Sequence, residues 1–306
     1  MIATEDRRRF DDLRAAAETA FAGGDLDDAC ALFAEAESLA LEHGEEDLAD
    51  WAFCNRCTVL IELDEADAEI PKLKKILLRS RDDRNRWLAA YNTAVAYDLA
   101  GDERKAQPYA QRALELSAGA GEPVLAAATA NLAGTLATRG SRFEEAEEAY
   151  RCGLGHRDRI EGDSEAYYTA LLNDNLGYVL LCEERIDEGV ALCETSLEAL
   201  DRTTADHIRP QVLQDLCYGY LLQGALDNAG ACGEQALDLA AGTADKLIVK
   251  NCLFLLAEIA VRRGDTFRAR RYLRELAAYY PEVGVSEEII DVFLATDLTT
   301  AVNLRG

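Results

Sequence analysis

The sequence predicts an all-α solenoid of about seven stacked helix pairs. Three observations predict it: glycine turns that recur at multiples of about 40 residues, small and apolar residues at helical spacing on both sides of those turns, and a composition poor in helix breakers. The turns are Gly24-Asp25, Gly101-Asp102, Gly140-Ser141, Gly224-Ala225 and Gly264-Asp265. They lie 77, 39, 84 and 40 residues apart, and each long interval holds two repeats, whose missing turns fall at Asp64-Glu65 and Glu184-Arg185. Of 306 residues, 49% are hydrophobic and only 5 are proline, so the chain should be ordered and largely helical.

The third unit shows the pattern most fully. Trp87, Ala90, Ala94 and Tyr97 precede its turn, and Ala106, Ala110, Ala113 and Leu114 follow it. Such a pair has an apolar face too large to bury alone; stacking on the next pair buries it, and the alanines let the helices approach closely. The second unit has no turn glycine and carries Pro71 in the first turn of its second helix, where proline is tolerated, so an irregular turn is expected there. The fourth unit has an extra residue after Gly140, an interruption at Gly153-Leu154-Gly155 and a long connection through Glu161-Gly162-Asp163, which predicts a bend or an overlong helix. The repeat array should span residues 1–281. Within 282–306, Ser286 to Leu294 reads as a capping helix with Ser286 at its N-cap and Glu288 close behind. Thr296 to Gly306 reads as a short extended tail, whose Val302 and Leu304 should dock on the last helices or on a neighbouring chain.

Asn175-Leu176-Gly177-Tyr178 with Leu180, followed by Gly189, Ser196 and Leu197, resembles the tetratricopeptide repeat consensus. Asn131-Leu132-Ala133 with Leu136 repeats it, and the last unit carries Gly264-Asp265, Ala269 and a closing Pro281. The resemblance covers roughly residues 6 to 281, and its period is that of the long-repeat variety seen in kinesin light chains and bacterial regulatory modules. It implies a tetratricopeptide-like α-solenoid that binds a protein or peptide partner, with first-helix residues lining a concave groove.

Aligning the units on their turns puts Asn55, Asn92, Asn131 and Asn175 at one place in successive first helices, with Asp215 taking that place in the sixth unit. A row of side-chain amides can donate to and accept from the backbone of an extended segment, with little dependence on its sequence. Tyr91, Tyr178 and Tyr218 lie beside this row and add apolar contact with a polar handle. These residues are the candidate partner-binding site. The same position can equally hold asparagines that bond a neighbouring helix or water, and tyrosines that pack within the fold.

The net charge is −25, from 57 acidic and 32 basic residues, so phosphate backbones and anionic lipids would repel the chain. No nucleic acid and no membrane partner is expected, and no apolar run approaches the roughly 18 residues of a membrane span. Met1 is followed by the charged stretch Glu5 to Arg9 without an apolar leader, and nine scattered cysteines fit a reducing compartment; a cytoplasmic location is expected. Residues 1–50 hold 15 acidic and 4 basic residues, whereas Arg262, Arg263, Arg268, Arg270, Arg271 and Arg274 crowd the last pair. That asymmetry offers self-association between copies, although exposed charge pairs are weak and screened.

Cys54 and Cys57 form a lone CxxC with no second pair, and His43, His156 and His207 fall in different units, so neither a metal nor a cofactor is expected. No nucleophile elbow, H-E-x-x-H or phosphate loop occurs, and no catalytic residue is assigned. The expected function is a non-enzymatic scaffold or adaptor that holds an extended partner segment in the groove. The alternative is a peptide- or ligand-sensing regulatory subunit; an enzyme with a site assembled from distant residues is more remote.

Overall fold

A computed structural model describes residues 4–63, 65–204, 206–243, 246–281, 286–296 and 304–305. Among these residues there are fifteen α-helices and no strand. Fourteen helices form seven consecutive pairs: α1 (Thr4–Ala22) with α2 (Leu26–Glu42), α3 (Glu46–Glu62) with α4 (Ile70–Arg79), and α5 (Asp83–Leu99) with α6 (Glu103–Ala120). The others are α7 (Pro123–Arg139) with α8 (Phe143–Leu154), α9 (Asp163–Cys182) with α10 (Ile186–Leu200), α11 (Arg209–Gln223) with α12 (Leu226–Thr243), and α13 (Lys246–Arg262) with α14 (Thr266–Ala277). α15 (Glu287–Ala295) follows them, with Ser286 at its N-cap.

One backbone bond sets the register of every pair. An N–H just past the first helix donates to the carbonyl five residues back: Asp25 to Ala20, Glu65 to Leu60, Asp102 to Tyr97, Arg142 to Ala137, Arg185 to Leu180, Ala225 to Tyr220 and Asp265 to Ala260, all at 2.8–2.9 Å. This bond satisfies a helix-end carbonyl and needs a left-handed residue just before it. Gly24, Gly101, Gly224 and Gly264 provide that residue in four units. In the fourth and fifth units it is Ser141 (φ 54°) and Glu184 (φ 62°), a conformation that costs an L-residue about 1 kcal/mol or more. The fourth turn therefore pivots on Ser141 and not on Gly140, which moves its register by one residue. Asp64 lies outside the described residues, yet the second turn closes with the same bond; its irregularity is the 3₁₀ turn Asp67–Glu69 that precedes α4. The glycine interruption ends α8 at Leu154, and a 3₁₀ turn at Arg157–Arg159 separates it from α9.

The contacts divide the chain into two compact units, Met1–Leu136 and Ala137–Gly306. In the first, Trp51 of α3 meets Phe10 and Phe33 edge-on, with ring centres 6.0 and 5.8 Å apart. Trp87, Ala90, Ala94, Ala106, Ala110 and Ala113 are buried, as their spacing predicts. Leu114 is exposed instead, because the buried stripe of α6 is centred on Ala106, Ala113 and Ser117 and position 114 lies on its flank, about 80° round from Ala106.

In the second unit one apolar cluster runs from Ala170 in α9 through α11 and α13 to Ile290 in α15, and it includes Leu304. Val302 lies outside the described residues. The pair α9/α10 is drawn together at two glycines: a Cβ on Gly189 would sit 2.8 Å from the Gly177 carbonyl oxygen, and one on Gly177 would sit 2.6 Å from Cys193 Sγ. These are two of the small residues of the repeat consensus. The arginines of the last pair find partners inside this unit: Arg262 donates to the Leu221 carbonyl, Arg263 to the Leu226 carbonyl and Asp227, Arg274 to Glu287, and Arg270 to Glu287 and Asp291.

Candidate partner-binding site

In the second unit the first helices α9, α11 and α13 are cross-linked by polar side chains on an otherwise apolar surface. Gln211 Nε2 donates to Asp174 Oδ2 at 2.7 Å, Gln214 Nε2 to Asp215 Oδ1 at 3.0 Å, and Asn251 Nδ2 to Gln214 Oε1 at 3.0 Å. Buried polar groups are retained at little cost only when they are bonded in this way. Tyr178 and Tyr218 lie beside them with ring centres 6.4 Å apart.

Leu304 and Arg305 of the same chain sit in this pocket. The Leu304 N–H donates to Tyr178 Oη at 3.0 Å, and its carbonyl accepts from Asn251 Nδ2 at 2.8 Å. Leu304 is 2% exposed. The next residue places its guanidinium over the Tyr178 ring, 5.1 Å from its centre, and one nitrogen bridges Asp174 Oδ2, at 2.9 Å, and Asp215 Oδ2. Both carboxylates are fully buried, and Asp174 Oδ1 has no hydrogen-bond partner among the described residues.

Burial pushes the Asp215 carboxyl up to about 7, against the pull of the Arg305 charge and with a further push from Asp174. Burial also disfavours the Arg305 charge, but Asp215 and Asp174 outweigh it and the guanidinium is held protonated. Asp215 thus binds its proton more tightly in the fold than at its ordinary value of 3.8, and stability from this group falls as pH rises between those two values. Asp215→Asn, which mimics the protonated form, is expected to melt above the wild type at about pH 8, with the gap closing towards about pH 5. Melting curves at the two pH values check this.

The asparagines and tyrosines singled out in the sequence occupy different environments. Asn92 is fully buried; its Nδ2 donates to the Cys54 carbonyl at 2.7 Å and to Thr58 Oγ1 at 3.2 Å, tying α5 to α3. Asn55 is half-buried and donates to the Trp51 carbonyl of its own helix at 2.8 Å. Asn175 is buried beside Asp174. Asn131, half-buried, lies eleven residues before its turn bond, as Asp174 and Gln214 do, whereas Asn55, Asn92, Asn175 and Asp215 lie ten before theirs. Tyr91 stacks on Trp87 at 5.0 Å. The structure thus brings Tyr178 and Tyr218 together with Asp215, and adds Asp174, Gln214, Asn251 and Arg305, which the sequence reading did not single out. The available signal was the short polar runs Asn173-Asp174-Asn175 and Gln214-Asp215, each set between apolar stretches of its helix.

Cys54 and Cys57 are buried in α3. Burial pushes the Cys57 thiol up to about 12 and the Cys54 thiol well above its ordinary range, so both stay protonated. Among the described residues no group of three or more His, Cys, Asp or Glu could hold a metal ion, and no helix is long and apolar enough to cross a membrane.

Comparison with known proteins bears on the fold. The tetratricopeptide repeat family matches residues 251–282, which hold most of α13 and all of α14. Among solved structures, the apo form of RapI is similar with a TM-score of 0.62 at 11% identity, over 88% of this chain and 75% of that one. A signal transduction ATPase with numerous domains and a tetratricopeptide repeat sensor, from Pyrococcus horikoshii, gives 0.60 at 17% identity, over 90% of this chain and 43% of that one. A tetratricopeptide repeat protein from Parabacteroides merdae gives 0.50 at 14% identity, over 96% of this chain and 100% of that one. No curated protein matches the sequence. Seven helix pairs closed by one turn bond, together with the match over the last pair, give the chain a tetratricopeptide-like helix-pair fold. At these identities the structural likeness is one of fold.

Proposed function

We propose that the chain is a protein-interaction scaffold or adaptor that holds an extended segment of a protein partner along its first helices, with α9, α11 and α13 carrying the site. The supporting observation is the capture of Leu304 by both its N–H and its carbonyl, through Tyr178 and Asn251. These bonds read main chain, and any extended segment offers the same groups. The polar cross-links among Gln211, Gln214 and Asn251 hold the site in shape before a ligand arrives, which lowers the ordering cost of binding.

A second reading, a peptide-sensing regulatory subunit, uses the same face; the fold shared with the repeat sensor of the Pyrococcus ATPase favours it. The two differ in what is bound: a folded protein through one of its segments, or a free peptide.

The full chain and its Tyr178→Phe/Asn251→Ala variant, immobilised side by side, test the proposal. A protein captured by the wild type and lost from the variant is the expected result, and mass spectrometry of the eluate separates protein from free peptide. Capture that is equal on both would place the partner site elsewhere.

A further inference from the structure

We infer that the Asp174–Asp215 pocket is an arginine-recognition site for a partner segment in which an apolar residue precedes the arginine, and that the chain's own Leu304-Arg305 occupies this site as an internal competitor. The inference rests on the reading of α9, α11 and α13 as the partner face, and adds what that face selects.

Three features carry it. First, the contacts described between the pocket and residues 304–305 use groups that another chain also offers: a main-chain N–H, a main-chain carbonyl, an apolar side chain and a planar cation. Second, the cation site is built for arginine. One guanidinium nitrogen bridges two carboxylates while the guanidinium carbon lies 5.1 Å from the Tyr178 ring centre, whereas an ammonium must make its ion pairs and its ring contact with a single atom. Third, the pocket offers more carboxylate oxygen than its cation uses. Two fully buried acids face one cation, and Asp174 Oδ1 has no hydrogen-bond partner among the described residues. Gln211 and Gln214 each donate to one of the acids, and two acids around one guanidinium give a site that attracts arginine from solution both affinity and selectivity.

Leu304-Arg305 is covalently tethered, so it competes at an effective concentration that can reach the millimolar range. A partner must therefore exceed the internal segment in affinity or local concentration before it enters. The pocket is consequently closed to weak ligands and open to strong ones.

The probe is a labelled synthetic peptide with the sequence of residues 297–306, titrated by fluorescence anisotropy against full-length proteins. The Leu304→Ala/Arg305→Ala variant, whose pocket is vacated, is expected to bind it at least about tenfold more tightly than the wild type does. A peptide with alanine in place of the arginine should bind the vacated variant at least about tenfold more weakly, and one with lysine should fall between. Adding Asp174→Asn and Asp215→Asn to the vacated variant should abolish the preference for arginine while the protein stays folded. Equal binding of the arginine and alanine peptides would overturn the inference. If the vacated variant does not fold, the wild type serves. Excess unlabelled peptide should then raise deuterium uptake in residues 304–305 by displacing them, and unchanged uptake at saturating peptide would overturn the inference. A concentration-dependent dimer of the wild type, lost in Arg305→Ala, would assign the pocket to a second copy and overturn the partner assignment. The proposed function fails separately: it falls if the Tyr178→Phe/Asn251→Ala variant captures partner normally, whatever the peptides do.

Discussion

Gly189→Ala is expected to destabilise the second unit by about 1–3 kcal/mol, although glycine to alanine inside a helix ordinarily stabilises by up to about 1 kcal/mol. The reversal comes from the α9/α10 contact. The new methyl would lie 2.8 Å from the Gly177 carbonyl oxygen and equally close to Leu181. Leu181 can rotate, but the Gly177 oxygen is helix backbone and can yield only if α9 moves. That helix carries Asp174 and Tyr178, so the substitution should also weaken the Leu304-Arg305 contact. Gly119→Ala is the control: the site is helical, and nothing lies within 4 Å of the added carbon. It should stabilise by about 0.5–1 kcal/mol. Chemical denaturation of both variants gives the two signs. A neutral Gly189→Ala would mean that α9 and α10 are not in contact as described.

Asn92→Ala should cost about 2–3 kcal/mol, from two lost hydrogen bonds and the cavity left in a fully buried site. Asn55→Ala should stay within about 0.5 kcal/mol, because its amide only bonds back to its own helix at a half-buried site. The two residues hold the same place relative to their turns. Their difference tests whether the position acts through the neighbouring helix, which Asn92 reaches and Asn55 does not. Equal losses in a denaturant melt would contradict this assignment.

Most of the helix-pair organisation was legible because the turn bond recurs, at intervals of 40, 37, 40, 43, 40 and 40 residues, whether or not glycine marks it. Glycine is a proxy for the left-handed residue. It misled at Gly140, where Ser141 takes that conformation, and the one-residue slip placed Asn131 in register with Asn92 when its turn aligns it with Asp174 and Gln214. Leu114 failed because it sits on the flank of the α6 stripe, about 80° round from Ala106.

The site was less legible than the fold. Tyr178 and Tyr218 could be singled out because they sit on first helices beside the repeat consensus. The contact that defines the pocket joins Asn251 to Leu304 and Arg305 to Asp174 and Asp215 across 53, 131 and 90 residues. No periodicity spans such separations. Leu304 was recognisable as an apolar residue in need of cover, but which surface covers it depends on two acids whose burial only the packed helices reveal.

Whether Leu304 and Arg305 occupy the pocket in solution is measured by backbone hydrogen exchange at the Leu304 amide. Because that N–H donates to Tyr178 Oη under a nearly fully buried side chain, it should exchange at least about tenfold more slowly than in a free peptide of the same sequence. Tyr178→Phe, which removes the acceptor and keeps the ring, should return it towards the free rate. An amide that exchanges at the free-peptide rate in the wild type would contradict the docked segment and the recognition site built on it.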